Sequence, residues 1–294
     1  MTAMEMPFSE EPLLHPGAVI ERLEASCRRV ATPCAGGQMT WRSWGSGPLL
    51  VLLHGGHGSW LHWIRSIPAF AATRTVLVPD LPGLGDSSDF TGDVPDGIAA
   101  IVASGLEQLI VERTPFDLVG FSFGALVAGY VAARLGPQVR SLTLAGPGAL
   151  GLARPRIELL GWTPDLPPDQ LRAIHRTNLL RLMIAHPENL DALALEIQQR
   201  NTLRSRVRSR KVANTDALAR VLRSCPPKRL NVIWGELDAV AYPHIEERER
   251  FIRSLCPGAT FHVVPGAGHW VAYEAARQFN SLLAQYLESS PESR

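Results

Sequence analysis

Six apolar runs constrain this chain more than any other feature of it. They are "PLLVLLHGG", "RTVLVPDLPG", "FDLVGFS", "VRSLTLAGPG", "RLNVIWGELD" and "ATFHVVPGAGH", and each stops at a turn rich in glycine or proline. Their apolar residues are continuous and do not alternate with polar ones. That pattern suits strands buried on both faces, as in a parallel sheet. Apolar residues at helical spacing separate most of the runs, over Ile98–Val111, Phe123–Leu135, His244–Leu255 and Val271–Leu287. Strand–helix alternation of this kind predicts βαβ units, an α/β fold with a mostly parallel sheet, and helices on both of its faces.

Two stretches depart from the alternation. Upstream, "RRVATPC" and "QMTWRSWG" read as a pair of short strands around the turn "AGG". Between the fourth and fifth apolar runs lie about 65 residues with no strand pattern. There "PPDQLRAIHRTNLLRLMIAH" and "NLDALALEIQQRNTLRSRV" read as helices, with Pro187 between them. This predicts a core of residues 26–146 and 214–294, a helical cap over 147–213, and an N-terminal extension of 1–25 that carries one short amphipathic helix.

The 294 residues are 46% hydrophobic, ample for one large core, and the formal net charge is +1. Neither a basic nor an acidic surplus points to nucleic acid or an anionic membrane surface. The first residues show no basic start followed by an apolar stretch, so no secretory signal is expected there. Cys27, Cys34, Cys225 and Cys256 lie far apart, without metal-ligand spacing. They read as reduced thiols of a cytoplasmic protein, and no metal is expected.

The third run ends in "GFSFG", with Ser122 between two glycines and a helix pattern opening at Phe123. A strand–turn–helix serine of this kind is a nucleophile elbow, whose tight turn needs small flanking residues. A serine hydroxyl needs a base, and the base needs a carboxylate to hold its tautomer. Downstream, "GELD" ends the fifth run with Asp238, and "GAGHW" follows the sixth with His269. Both sit just past strand ends, where open α/β sheets bind ligands. Glu236 is the alternative acid; His262 is expected to pack within its strand and His244 to begin a helix. An oxyanion hole needs two backbone N–H donors. Phe123 and Gly56 are the candidates, the latter in "LLHGGHGSW" with Gly55 and His57 beside it. No Lys-Ser/Thr follows that glycine turn, so it does not read as a phosphate loop.

Taken in order, "HGGHGSW", "PDLPGLGDS", "GFSFGA", "GELD" and "GAGHW" resemble the α/β-hydrolase superfamily over about residues 35–288. The resemblance implies a Ser122–Asp238–His269 triad, a Gly56/Phe123 oxyanion hole, a pocket between core and cap, and no cofactor. It allows a homodimer. "HGG" with "GHW" is also similar to the hydrolases that cut C–C bonds in meta-cleavage products, which carry a tryptophan where Trp270 stands. Those enzymes place Asn before the serine, where this chain has Phe121. They hold the substrate carboxylate with a cap arginine, for which this chain offers Arg200, Arg204, Arg206, Arg208 and Arg210. Arg200, Arg204 and Arg208 share the spacing of one helix face, and Glu196 could pair with Arg200.

The leading expectation is therefore a capped serine hydrolase of a small carboxylic ester. Gly55, His57, Phe121, Trp270 and Arg204 are its candidate substrate contacts. C–C hydrolysis of a dienol-diketo acid with the same triad is the first alternative. A ligand receptor or scaffold on the same fold is an alternative of another class, and acyl transfer to an acceptor other than water stays open.

Overall fold

A computed structural model describes residues 15–34, 36–207 and 210–288. One eight-stranded sheet runs through it in the order β1-β2-β4-β3-β5-β6-β7-β8. The strands are β1 (Arg28–Cys34), β2 (Gly37–Trp44), β3 (Leu49–Leu53), β4 (Thr75–Pro79), β5 (Phe116–Phe121), β6 (Val139–Ala145), β7 (Leu230–Gly235) and β8 (Thr260–Val264). The first two form an antiparallel ribbon, and β2 joins β4 antiparallel. Every later pairing is parallel. All six apolar runs became strands of the parallel part.

The continuous apolar pattern has its reason in the two cores. Val51 and Leu53 of β3 pack into one core with α3 (Asp96–Leu109), α4 (Phe123–Leu135), α8 (Ala217–Ser224) and α9 (Ile245–Leu255). Leu50 and Leu52 pack into the other. That second core is closed by α1 (Pro16–Ala25), α2 (Ile67–Ala71), α10 (Val271–Glu274) and α11 (Ala276–Glu288), together with cap residues. A strand buried on both sides has no position for an exposed polar residue. The same logic applies to α4, which buries ten of its thirteen residues, as a helix at the centre of a molecule must.

The stretch 147–213, expected as a cap and called so below, holds α5 (Pro168–Leu182), α6 (Ala192–Leu203) and α7 (Arg210–Ala213). A stretch without regular secondary structure, residues 152–163, leads into it as a strap. The expected final helix is broken at Ala275, which has φ −119° and ψ 45°. Glu274 stands just before the break. Its carboxylate accepts from the backbone N–H groups of Gly268, Ala185 and His186 at 2.7, 3.0 and 2.9 Å, and so ties the loop before His269 to the cap. His262 is exposed on the edge strand β8 rather than packed, and its ring meets the Tyr286 hydroxyl at 2.5 Å. β8 is an edge strand, and only Phe261 and Val264 of its five residues are buried.

The helix of the N-terminal extension is part of the core; residues 1–14 lie outside the described residues. Ile20 is 1% exposed, and Glu24 reaches the buried Arg42 at 2.6 Å. Burial opposes the charge of Arg42, but Asp80, Glu24 and Asp86 outweigh it and raise its pKa. Asp80 is the hub of this cluster. It accepts from Arg42 at 3.0 Å, from Trp60 N–H at 2.8 Å and from Asp86 N–H at 2.9 Å. Asp80→Ala leaves those three donors buried without it. The expected loss is about 3–5 kcal/mol of stability, read from the urea midpoint at unchanged m.

Candidate active site

Ser122 stands at the β5–α4 junction with φ 51° and ψ −110°, a conformation that costs a non-glycine residue about 1–3 kcal/mol. Its backbone is held there by Ser122 N–H donating to the Ala145 carbonyl at 2.9 Å. The side chain caps nothing in α4 and is left free to act. The flanking glycines are required by close approach. A Cβ on Gly120 would lie 2.6 Å from Cα of Ala125, and one on Gly124 would lie inside 3 Å of the carbonyls of Leu53 and His54. Gly124→Ala should therefore cost about 3 kcal/mol, because backbone and not a flexible side chain must yield. Gly258, with nothing near its Cβ position, is the neutral control. Equal unfolding midpoints for the two alanine variants would refute the argument.

Ser122 Oγ lies 2.9 Å from Nε2 of His269, and Nδ1 of His269 lies 2.8 Å from Oδ2 of Asp238. His269 comes from the loop after β8 and Asp238 from the turn after β7. Asp238 is fully buried, and its other oxygen accepts from Val240 N–H at 2.9 Å. Glu236, in the same turn, points elsewhere and accepts from Gly266 N–H at 2.8 Å. The rings of Phe121 and His269 pack at 5.0 Å. This arrangement can move a proton from a hydroxyl to an imidazole whose other nitrogen already faces a carboxylate.

The turn after β3 brings Gly55, Gly56 and His57 to the same cavity as Ser122, Phe121, Phe123 and His269. Phe123 is the first residue of α4, so its N–H has no acceptor within the helix. Two buried histidines shape this turn, His54 from the "HGG" motif and His62, which lies outside every motif. His54 Nε2 accepts from Leu81 N–H at 2.9 Å while Nδ1 faces the Gly55 carbonyl at 2.8 Å, the pattern of a neutral ring donating from Nδ1. His62 Nδ1 accepts from Gly55 N–H at 3.2 Å. Burial, reinforced by the neighbouring His54, His269 and His57, pushes the pKa of His62 well down, so it too is neutral. His62 lies in a single turn of 3₁₀ helix, Trp60–Trp63, and no motif spacing announces it. His57 meets the cap, with Nδ1 at 2.8 Å from Ser205 Oγ.

The cavity has a volume of about 770 Å³ and lies between sheet and cap. Leu159, Leu160, Leu182 and Met183 supply its apolar wall from the cap side. Two expected substrate contacts are not on it. Trp270 is 1% exposed and stands behind His62, donating to the His62 carbonyl at 2.9 Å and stacking on Tyr273. Arg204 turns to the outer side of the cap and pairs with Asp86 at 2.6 Å. The helix that was to carry the arginine face stops at Leu203, so Arg204 leaves its periodicity. Arg206 is taken by Asp89 and by the Ser87 carbonyl. Arg200 pairs with Glu196 at 2.7 Å, as the four-residue spacing predicts. Arg208 lies outside the described residues, and Arg210 is described in its backbone only. The half-buried arginine that does line the cavity is Arg154, in the strap.

With this geometry in view, the chain belongs to the alpha/beta hydrolase family, whose model matches residues 50–282. It is 31% identical over 82% of its length to a dihydrolipoyllysine-residue acetyltransferase component of the acetoin cleaving system from Pseudomonas putida, spanning 64% of that protein. It is 29% identical over 81% of its length to a 2-hydroxy-6-oxononadienedioate/2-hydroxy-6-oxononatrienedioate hydrolase from Paraburkholderia phymatum, spanning 86% of it. An esterase from Rhodococcus sp. ECU1013 has a similar solved fold, with TM-score 0.71 and 22% identity over 90% of this chain and 99% of that one.

Proposed function

We propose that the protein is a serine hydrolase that cleaves a small carboxylic ester through an acyl-enzyme. The observation that carries this reading is the hydrogen-bonded chain from Ser122 Oγ through His269 to the buried Asp238, built on a positive-φ elbow. Ser122 Oγ attacks the ester carbonyl carbon while its proton passes to His269 Nε2. The carbonyl oxygen becomes an oxyanion facing the N–H groups of Gly56 and Phe123. His269 returns the proton to the leaving alkoxide as the C–O bond breaks. Water then attacks the acyl-enzyme, gives its proton to His269, and Ser122 recovers it as the acid leaves. Asp238 holds the ring and stabilises the imidazolium in both halves. The four cysteines are free thiols, which supports a cytoplasmic setting, and no described helix is long and apolar enough to cross a membrane.

A second reading, hydrolysis of a C–C bond in a dienol-diketo acid, draws on the relative from Paraburkholderia phymatum and its kind. Phe121 on the cavity wall, where those enzymes carry Asn, counts against that reading. A panel of p-nitrophenyl esters of rising chain length, run beside a coloured dienol-diketo acid, separates the two. Ester turnover is expected; bleaching of the dienol with every ester untouched would put the second reading first.

A further inference from the structure

The cavity has two unlike flanks on either side of Ser122. In the sheet β3, β5, β6 and β7 are consecutive neighbours. The turn after β3 therefore flanks the serine on one side, and the residues after β6 and β7 flank it on the other. The first flank offers backbone N–H groups at Gly56 and the neutral His62. The second holds Gly148 and Val240, and over Gly148 a guanidinium: a Cβ on that glycine would lie 3.5 Å from Nη1 of Arg154.

Arg154 is poorly supplied with partners for a half-buried cation. Nη1 donates to the Ala213 carbonyl at 2.8 Å, and among the described residues no carboxylate lies within ion-pair distance of the side chain. Burial lowers its pKa, the more distant Asp238 opposes that, and Arg248 adds to it. A guanidinium has five N–H donors in a planar fork, and four of them remain for a ligand. The strap is anchored so as to present it. Arg248, buried and paired with Glu247 at 3.0 Å, donates to the carbonyl of Ala153, the residue before Arg154. The other two cations on the cavity are exposed: Arg156 pairs with Glu158 at 3.4 Å, and Lys211 is open to solvent.

We propose that Arg154 recognises a carboxylate carried by the substrate, so that the natural ester bears a free carboxylate remote from its scissile carbonyl. The proposal rests on the ester-hydrolase reading and names its substrate class. With the carbonyl oxygen toward Gly56, the far end of the substrate lies over β6, where the fork donates to two carboxylate oxygens side by side. Leu159, Leu160 and Met183 between them line a path for a methylene or aryl spacer.

Two matched ester pairs test it. p-Nitrophenyl hydrogen glutarate against p-nitrophenyl pentanoate places the charge on the acyl arm. 4-Acetoxybenzoate against phenyl acetate places it on the leaving arm. The native protein is expected to favour the charged member of one pair by about tenfold or more in kcat/KM. Arg154→Gln is expected to remove that preference, and Arg154→Lys, which keeps charge but loses the fork, to retain part of it. A preference of about one in both pairs, or one that survives Arg154→Gln, overturns the proposal while leaving an ester hydrolase in place. Should every ester prove inert, the ester-hydrolase reading itself fails. Calorimetric binding of the same compounds to Ser122→Ala protein then still decides the role of Arg154. Tighter binding of a charged member, lost when Arg154→Gln is added, supports it; equal binding overturns it.

Discussion

Ser122→Ala is expected to lower kcat on p-nitrophenyl esters by about 10⁴- to 10⁶-fold while the protein stays folded. The magnitude follows from the loss of the attacking oxygen. His269 would then have only water to activate, and the oxyanion donors would stabilise a reaction without a tethered nucleophile. Folding should be indifferent to the change. The side chain caps no helix, its backbone bond to Ala145 is made by N–H, and alanine meets the same penalty at φ 51° that serine does. The melting temperature should therefore move by no more than about 2 °C. A variant that melts with the native protein and still turns over esters would sink the serine mechanism. A variant that does not fold would be uninformative for chemistry, and Ser122→Cys, which keeps an oriented nucleophile of another pKa, is the companion to measure.

How much of this was legible beforehand depended on the range of the interaction. The strands were legible because a sheet covered on both faces writes its burial into consecutive residues, as in Leu50–Leu53. The elbow was legible because its glycines are dictated by contacts made within a few residues or with the adjoining strand. The break one turn into the last helix was not, since it sits beside Glu274, whose carboxylate is held by amides nearly ninety positions back, at Ala185 and His186. The place of Arg204 was hidden for the same reason. Spacing put it on one helix face with Arg200 and Arg208, but the helix ends at Leu203 and Asp86, more than a hundred residues upstream, claims Arg204. His62 and Arg154 carry no local mark at all. A histidine in a one-turn helix and an arginine in a strap acquire meaning only when the β3 turn and the cap close over the same 770 Å³.

Asp238→Asn should cost about 10⁴ in kcat with little change in KM, although it removes no atom that touches a substrate. In the native site the carboxylate can only accept, so Nδ1 of His269 must carry the proton and Nε2 must be the acceptor facing Ser122. An asparagine is held by the same neighbours. Val240 N–H donates to the position of Oδ1, which fixes the amide oxygen there and turns the NH₂ toward His269. Nδ1 then becomes an acceptor, the proton moves to Nε2, and Ser122 faces a donor instead of a base. The carboxylate that stabilises the imidazolium is lost as well. Size and shape are nearly unchanged, so Asp238→Asn should keep the native fold and crystallise with the Ser122–His269 distance intact. Two results would count against this account. One is a rate within about tenfold of the native protein, which would mean the carboxylate does not set the tautomer. The other is a loss of the same size in Glu236→Gln, which would return the exposed neighbour, now bonded to Gly266, to candidacy as the acid.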